Sequence, residues 1–535
     1  MTALPASADP SQVLDLLQCA EAGNDSGKIE QIETHISWVF LTSSHAYKLK
    51  KPVRFEFLDF STAQLRGQAC EDEVRLNRRL APDVYLAVMP VYADRQGGLR
   101  LIGEGCGDGT PIDWLVKMRR LRAEQSLDRQ IEAGGVTAPE TDSIAEMLCR
   151  FFQDAARGCI EPAAYCSGIE RHVRANAAEL TSGKYSIDIA PARNVCGSHL
   201  RWLALRRELL EARVRDGRVI EGHGDLRPEH IYIENGQPVV IDCIEFSREL
   251  RTLDVADELS FLAMECDRLG AEPIGRRLIE VYEERTGDQP PAALWGFYKS
   301  YRACVRAKVA ALRSAQQSPE QQQASLAECR HDLSLAGRYA RSLLPPMLIV
   351  VRGLMGTGKS TLAAALSDSL GLETLATDAI RRELFPATGR PAGYGEGTYQ
   401  AEARERVYAD MFRRAQQLLA WGASLILDGT FLSSNLRRRA VEIGKQAKAV
   451  TLIVTCTCPS EVATERIRIR QIGGGSLSEA RPELLALQME EEEPVAEDLP
   501  HLLVDTSLPV HDQKRGVIQW LAGQLDETKY PSCSA

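Results

Sequence analysis

No stretch of this 535-residue chain stays apolar for the ~18 positions a membrane-crossing helix needs, so no helical span is expected. The first residues, MTALPASADPSQ, carry neither a basic leader nor a continuous apolar stretch. No secretory signal is read there, and the expected compartment is the cytoplasm. Fourteen cysteines occur without one CxxC pair or any regular spacing, which removes the usual zinc and redox patterns and leaves buried thiols as the expectation. A basic surplus is lacking too. The net charge of -10 argues against a general nucleic-acid coat, which needs a basic stripe. No internal repeat is found. What remains is a composition of 44% hydrophobic and 26% charged residues, ordinary for a globular protein, on a chain long enough for roughly two to four domains.

Two β-type runs between residues 30 and 60, SWVFLT and AYKLKKPV, are separated by a short polar turn, as in a hairpin. From Ser61 to Leu80 the spacing turns helical, with Leu65, Cys70, Val74 and Leu80 on the inward side. A further extended run, VYLAVMPVYA, leads to WLVKMRRL, and after Ala138 the pattern is mostly helical, interrupted by VVIDCIEF. In ARSLLPPMLIVVRG a helical run stops at Pro345 and Pro346 and a buried-strand pattern begins at once. The domain boundary is placed there, giving units 1–345 and 346–535. Beyond it, strands MLIVV, SLILDG and VTLIVTC alternate with helical stretches, the mark of a parallel α/β sheet. The acidic run at 490–493 reads as a solvated helical face.

Gly353 to Ser360 read GLMGTGKS and match GxxxxGK[ST] in full, between an apolar strand and the helix-prone TLAAALSDSL. In such a loop, glycines let backbone N–H groups approach phosphates, and the helix that follows adds a favourable dipole. The expected nucleotide-binding set is Gly353, Gly356, Thr357, Gly358, Lys359, Ser360 and Thr361, with Lys359 bridging the β- and γ-phosphates of ATP and Ser360 holding Mg²⁺. In TLATDAIRREL, Asp378 is read as the cap of a helix, with Arg381 returning to its face, a pair suited to a substrate. Asp428 ends the strand SLILD, where a carboxylate can orient Mg²⁺ or its waters. In ERIRIRQ, Arg466 and Arg470 share one helical face, as a closing lid requires. Residues 347–510 resemble the P-loop kinases that include gluconate kinase and the 5′-hydroxyl polynucleotide kinases. The resemblance implies that Asp378 is the base acting on an acceptor hydroxyl, Arg381 a substrate contact, and Arg466 or Arg470 the lid arginines. Residues 346–535 hold 21 Lys plus Arg against 24 Asp plus Glu, so a small hydroxylated acceptor is favoured over a nucleic acid.

In the N-terminal half, HGDLRPEHIYI followed by VVIDCIEF places Asp225 and Asp242 where a hairpin can bring them together. Protein kinases use this layout: one Asp accepts the hydroxyl proton and the other grips Mg²⁺. Lys48 and Lys50 in AYKLKK point to one face of a strand, and Glu73 is available to pair with them. The HGD form is similar to that of the aminoglycoside phosphotransferase and choline kinase group, loosely over residues 30–310. That likeness implies a two-lobed protein-kinase-like fold, with Asp225 as base, Asp242 as metal ligand, Lys48 or Lys50 with Glu73 on the nucleotide, and KMRRL as the hinge. His230 stands where these kinases place an Asn metal ligand. Mg²⁺ prefers oxygen, so three outcomes are open: one well-held metal, a hydrogen-bonding role for His230, or lost catalysis.

The order of the two halves resembles bacterial bifunctional aminoglycoside phosphotransferase/ATP-binding proteins, over nearly the whole chain. The expected activity is phosphotransfer from ATP, with Mg²⁺, to an alcohol group of a small molecule. Two alternatives are a P-loop kinase gated by an inactive kinase-like sensor, and a nucleic-acid 5′-hydroxyl kinase.

Overall fold

The structure, a computed structural model, describes residues 7–21, 29–55, 58–93, 98–101, 110–385, 401–472 and 482–525. They form two compact units: residues 1–161 with 213–291, and residues 162–212 with 292–535.

The first unit opens with a six-stranded sheet in which Ser37–Leu41 and His45–Lys50 form the predicted antiparallel hairpin. Strand Asp113–Arg119, which carries the start of KMRRL, lies on the other side of His45–Lys50, and Tyr85–Ala93 follows it. Helix Ala63–Asn77 starts at Thr62, whose hydroxyl accepts from the Leu65 N–H, the usual N-cap device. Its Cys70 and Val74 face inward as the spacing predicts, but so do Arg66 and Glu73. Arg66 is tolerated because Asp113 pairs with it through both oxygens, at 2.8 and 3.1 Å. Beyond residue 213, the hairpin of Ile231–Glu234 with Gln237–Val240 links the HGD loop to Asp242, and helix Val255–Arg268 lies buried along most of its length.

The second unit is built on a five-stranded parallel sheet. Its centre is Met347–Arg352, flanked by Leu425–Asp428 and Val450–Thr457, with Glu373–Ala376 and His501–Asp505 at the edges. All six residues of the central strand are buried. Successive side chains point to opposite faces: Met347, Ile349 and Val351 enter one apolar cluster, and Leu348 and Val350 the other. This is the expected P-loop architecture, a parallel sheet covered on both faces by helices. The boundary read at 345 and 346 marks the start of this sheet. Packing draws the unit wider, because helices Pro162–Leu180, Ala190–Leu205, Ala292–Ser314 and Pro319–Ala340 lie in the same unit.

One contact shows how closely these helices meet the sheet domain. Gly197 lies against Gly371, the left-handed C-cap (φ 58°) of the helix Lys359–Leu370. A Cβ on Gly197 would stand 2.6 Å from the Gly371 carbonyl oxygen. The buried Arg201 donates to the carbonyls of Leu370 and Gly371 at 3.4 and 3.1 Å, a cation at a helix C-terminus. No helix among the described residues is long and apolar enough to cross a membrane. Gly197→Ala is expected to destabilise the second unit by about 1–3 kcal/mol through overpacking. Gly168→Ala, in a helix with nothing within 4 Å, is expected to be neutral or to stabilise by up to ~1 kcal/mol. Urea denaturation followed by circular dichroism compares the two.

Candidate functional site

The first unit assembles the residues singled out in its sequence. Lys48 and Lys50, two apart on one strand, both reach Glu73: Lys48 at 2.9 Å and Lys50 at 2.6 Å, each on its own carboxylate oxygen. Lys48 is also 2.9 Å from Asp242, and Lys50 pairs with Glu245. Lys50 and Glu73 are fully buried. Burial alone would lower the Lys48 ammonium, but Asp242 and Glu73 outweigh it and hold its pKa well above the ordinary range. For Asp242, the Lys48 charge is the largest influence and holds its carboxyl well below the usual range.

Asp242 has a left-handed backbone (φ 64°), uncommon outside glycine and best tolerated by Asp and Asn. Three hydrogen bonds fix the turn. Ile241 N–H donates to the His230 carbonyl, Asp242 N–H to the Tyr85 hydroxyl and Cys243 N–H to Asn77 Oδ1, at 2.9, 3.1 and 2.9 Å.

His230 sits between the two acids, with Nδ1 3.7 Å from Asp225 Oδ2 and Nε2 3.6 Å from Asp242 Oδ2. Its Nδ1 is 2.8 Å from the Asp225 carbonyl oxygen, and its Nε2 is 3.1 Å from Arg227 Nη2. An arginine only donates, so Nε2 accepts from Arg227 and Nδ1 donates to the Asp225 carbonyl, which makes the ring a hydrogen-bonding link between the two. Arg227 also places Nε 3.2 Å from Asp225 Oδ2. Burial opposes ionisation of Asp225, yet Arg227 and then His230 hold its carboxyl below the ordinary value. His223 is buried, bridging the Ile241 carbonyl (2.9 Å) and the Asp225 N–H (3.3 Å). The N–H groups of His223 and Gly224 donate to the Glu258 carboxylate at 2.6 and 2.7 Å.

In the second unit, the loop 353–358 follows the central strand. Gly353, Gly356 and Gly358 have φ of 139°, 79° and 83°. A Cβ on Gly353 would meet the Cys456 carbonyl oxygen at 2.5 Å, and one on Gly356 the Ala463 carbonyl oxygen at 2.5 Å, so both conformation and space require glycine. Lys359 donates to the Leu354 carbonyl at 2.8 Å, within the loop it belongs to. Burial lowers its ammonium, with Asp428 the main opposing influence. Asp428 is buried, its carboxyl raised by that burial and lowered in turn by Lys359 and by a hydrogen bond from Ser360. The structure thus brings Lys359, Ser360 and Asp428 together, and Thr357 joins them through its carbonyl, which accepts from the Thr506 hydroxyl at 2.7 Å. Thr361 lies in the first turn of the helix Lys359–Leu370, its N–H bonded to the Gly358 carbonyl. Arg466 donates to the Thr506 side chain and carbonyl at 3.2 and 2.7 Å, beside Gly358. Arg470 acts electrostatically on both Lys359 and Asp428.

Two sequence expectations are corrected. Asp378 is not a helix cap: Ala376 holds that position, and Asp378 lies in the first turn of Thr377–Leu384, 2.7 Å from Arg381 on the same face. The acidic run 490–493 is corrected only in part: Glu490, Glu491 and Glu493 are exposed and the first two are helical, as read, but three of the four residues also hold partners. Glu492 pairs with Arg352, buried at the end of the central strand; Glu491 pairs with Arg404 at 2.9 Å; and Glu493 accepts from the Ser434 N–H. Nearby, Gln488 accepts the loop N–H of Met355 at 3.0 Å. Two cations and one backbone donor from other segments turn a run of like charge into a clasp.

The geometry adds Arg227, Glu245, Glu258 and Gln488 to the residues of interest. Arg227 lies inside the quoted HGDLRPEH and Glu245 three places after Asp242, so both were within reach of the motif; Glu258 and Gln488 sit in helices that carry no such signal.

Both sites fit a hard divalent cation. Asp242 keeps a side chain 46% exposed beside its Lys48 contact, and Ser360 with Asp428 offers hydroxyl and carboxylate oxygen. Among the described residues no three His, Cys, Asp or Glu side chains form a ready-made cage.

Comparison with known proteins adds kinship. An AAA domain model matches residues 348–494. Two uncharacterized proteins, Rv2004c of Mycobacterium tuberculosis H37Rv and Mb2027c of Mycobacterium bovis, are 35% identical over 460 residues, covering 84% of this chain and 88% of theirs. The chain belongs to the family of these mycobacterial proteins. An alignment of that length spans both the kinase-like region and the P-loop domain, so the fused architecture is a property of the family. Among solved structures, a choline/ethanolamine kinase family protein from Mesorhizobium loti covers 62% of the chain at 12% identity and a TM-score of 0.37, matching 98% of its own length. A gluconokinase from Sinorhizobium meliloti 1021 covers 36% at 21% identity and a TM-score of 0.27, again over 98% of its length.

Two outcomes test the first site. Lys50→Ala, which strands Glu73 and Glu245 in the interior, is expected to cost about 3–5 kcal/mol of stability, and adding Glu245→Ala should recover part of it; a double-mutant cycle in guanidinium measures both. His223 is held neutral by burial, its pKa lowered to about 4. The unfolded chain binds that proton near 6.5 and the folded one does not, so the stabilisation is complete above pH ~6.5 and is lost on acidification towards about 4. The wild type should therefore lose about 3 kcal/mol more than His223→Gln across that window, read from urea melts at successive pH.

Proposed function

We propose that the chain is a cytoplasmic ATP- and Mg²⁺-dependent phosphotransferase with two nucleotide sites, each delivering a γ-phosphoryl group to the hydroxyl of a small molecule. The observation that carries the reading is Lys48 poised 2.9 Å from both Glu73 and Asp242, the ion-pair arrangement that kinase chemistry requires. In the first site Lys48 would take the α- and β-phosphates, Glu73 and Lys50 would keep it in place, and Asp242 would hold the metal. Asp225 orients the acceptor hydroxyl and takes its proton. Its lowered pKa keeps it ionised at neutral pH, which suits a late proton transfer with positioning as the larger contribution. His230 serves this site as a hydrogen-bonded spacer and, through a lone pair already accepting from Arg227, as a poor metal ligand.

In the second site Lys359 would exchange the Leu354 carbonyl for phosphate oxygens, while Ser360 and Asp428 hold the metal. Asp378, kept in place by Arg381, faces the acceptor hydroxyl, and Arg466 and Arg470 offset charge on the transferring group. Mg²⁺, when bound, neutralises phosphate charge in either site.

One observation favours a second reading. Arg227 at 3.2 Å and His230 at 3.7 Å both engage the Asp225 carboxylate, as they would in a unit that binds nucleotide without turnover and gates the other.

An ATP-consumption screen over hydroxylated metabolites, run with wild type, Asp225→Asn and Lys359→Ala, separates these. Two classes of hit are expected, each falling about 10²- to 10⁴-fold in one variant only. If Asp225→Asn leaves every turnover unchanged while altering nucleotide affinity, the gating reading holds instead.

A further inference from the structure

The second unit contains a cleft of about 980 Å³ that belongs to neither nucleotide site. It is lined by helix Pro162–Leu180, the end of Ala190–Leu205 with residues 206–209, the last turn of Lys359–Leu370, and helix Val510–Gln524. Its size is that of a small-molecule site. The apolar lining comes from Leu200, Leu203, Leu209 and Ile518. The charged lining is predominantly cationic: Arg174, Arg206, Arg207, Lys514 and Arg515 against Glu170, Glu208 and Asp368.

The distribution of partners matters more than the count. Arg174 is taken up by Glu170 and Asp368, Arg207 by Glu211, and Arg515 by Asp512. Arg206 and Lys514 differ. Arg206 donates to the Leu525 carbonyl at 2.6 Å and Lys514 to the Ser369 hydroxyl at 2.9 Å. Both partners are neutral, and neither cation forms an ion pair among the described residues. Two half-buried positive charges therefore border a cleft of mixed charged and apolar lining in a chain whose net charge is -10. A charged acceptor would form stronger hydrogen bonds with them than a carbonyl or hydroxyl does.

We propose that this cleft binds a small organic phosphate, its phosphate on Arg206 and Lys514 and its carbon body against Leu203 and Ile518. None of its lining residues belongs to the P-loop or to the Asp242 site.

The test uses the full chain and fluorescent 1-naphthyl phosphate, titrated by polarisation with saturating ATP and Mg²⁺ present to fill the nucleotide sites. Saturable binding of one molecule per chain is expected, weakened about tenfold in Arg206→Ala and in Lys514→Ala and not displaced by 1-naphthol, which lacks the anion. Lys514→Gln replaces either variant should it melt early. Equal affinity in the variants, displacement by 1-naphthol as effective as by the phosphate, or loss of the signal as ATP is raised would each overturn the assignment. The phosphotransferase reading survives any of these, since it rests on other residues.

Discussion

Glu73 is the pivot of the first unit. One buried carboxylate is shared by two lysines of the same strand, and through them it is tied to Asp242 and Glu245, which follow the second hairpin. Removing an ion from water costs several kcal/mol, and the loss is offset only where every charge finds good partners. Here Lys48, Lys50 and Arg227 face Glu73, Asp242, Glu245, Asp225 and Glu229, so three cations meet five carboxylates and two negative charges are left over. A site with that surplus is ready for a cation. The same web explains the left-handed turn at Asp242, since Tyr85, Asn77 and His230 fix the backbone from which the carboxylate reaches Lys48.

The P-loop rests on a different constraint. Backbone must approach backbone at Gly353 and Gly356, and a central strand buried on both faces supplies the rigid edge from which the loop departs. Gln488 and Glu492 reach that loop and strand from a later segment of the chain.

Much of this was legible in the sequence because local pattern and spacing determine it. The hairpin with Lys48 and Lys50, the helix with Glu73, the strand before Gly353 and the strand ending in Asp428 follow from period, turn residues and motif. What escaped was set by contacts between distant segments. Glu492 finds Arg352 140 positions away, and nothing near 490–493 announces that cation. Asp378 fails as a cap because the helix starts at Thr377, two residues earlier than a cap at Asp378 would require. The role of His230 was undecidable from type alone; the positions of Arg227 and the Asp225 carbonyl fix its tautomer.

The meeting of Gly197 with Gly371 has a bearing on how such a fusion is inherited. Two backbones in direct contact leave no room for side chains, so either glycine can vary only if the other segment moves away. Helices that precede the prolines at 345 and 346 are thus fitted to the far end of the phosphate-binding helix, and cutting the gene at that proline pair would strip its product of a supporting wall. The sequence reads as two modules cut at 345, yet helices from before that point belong to the packing of the second.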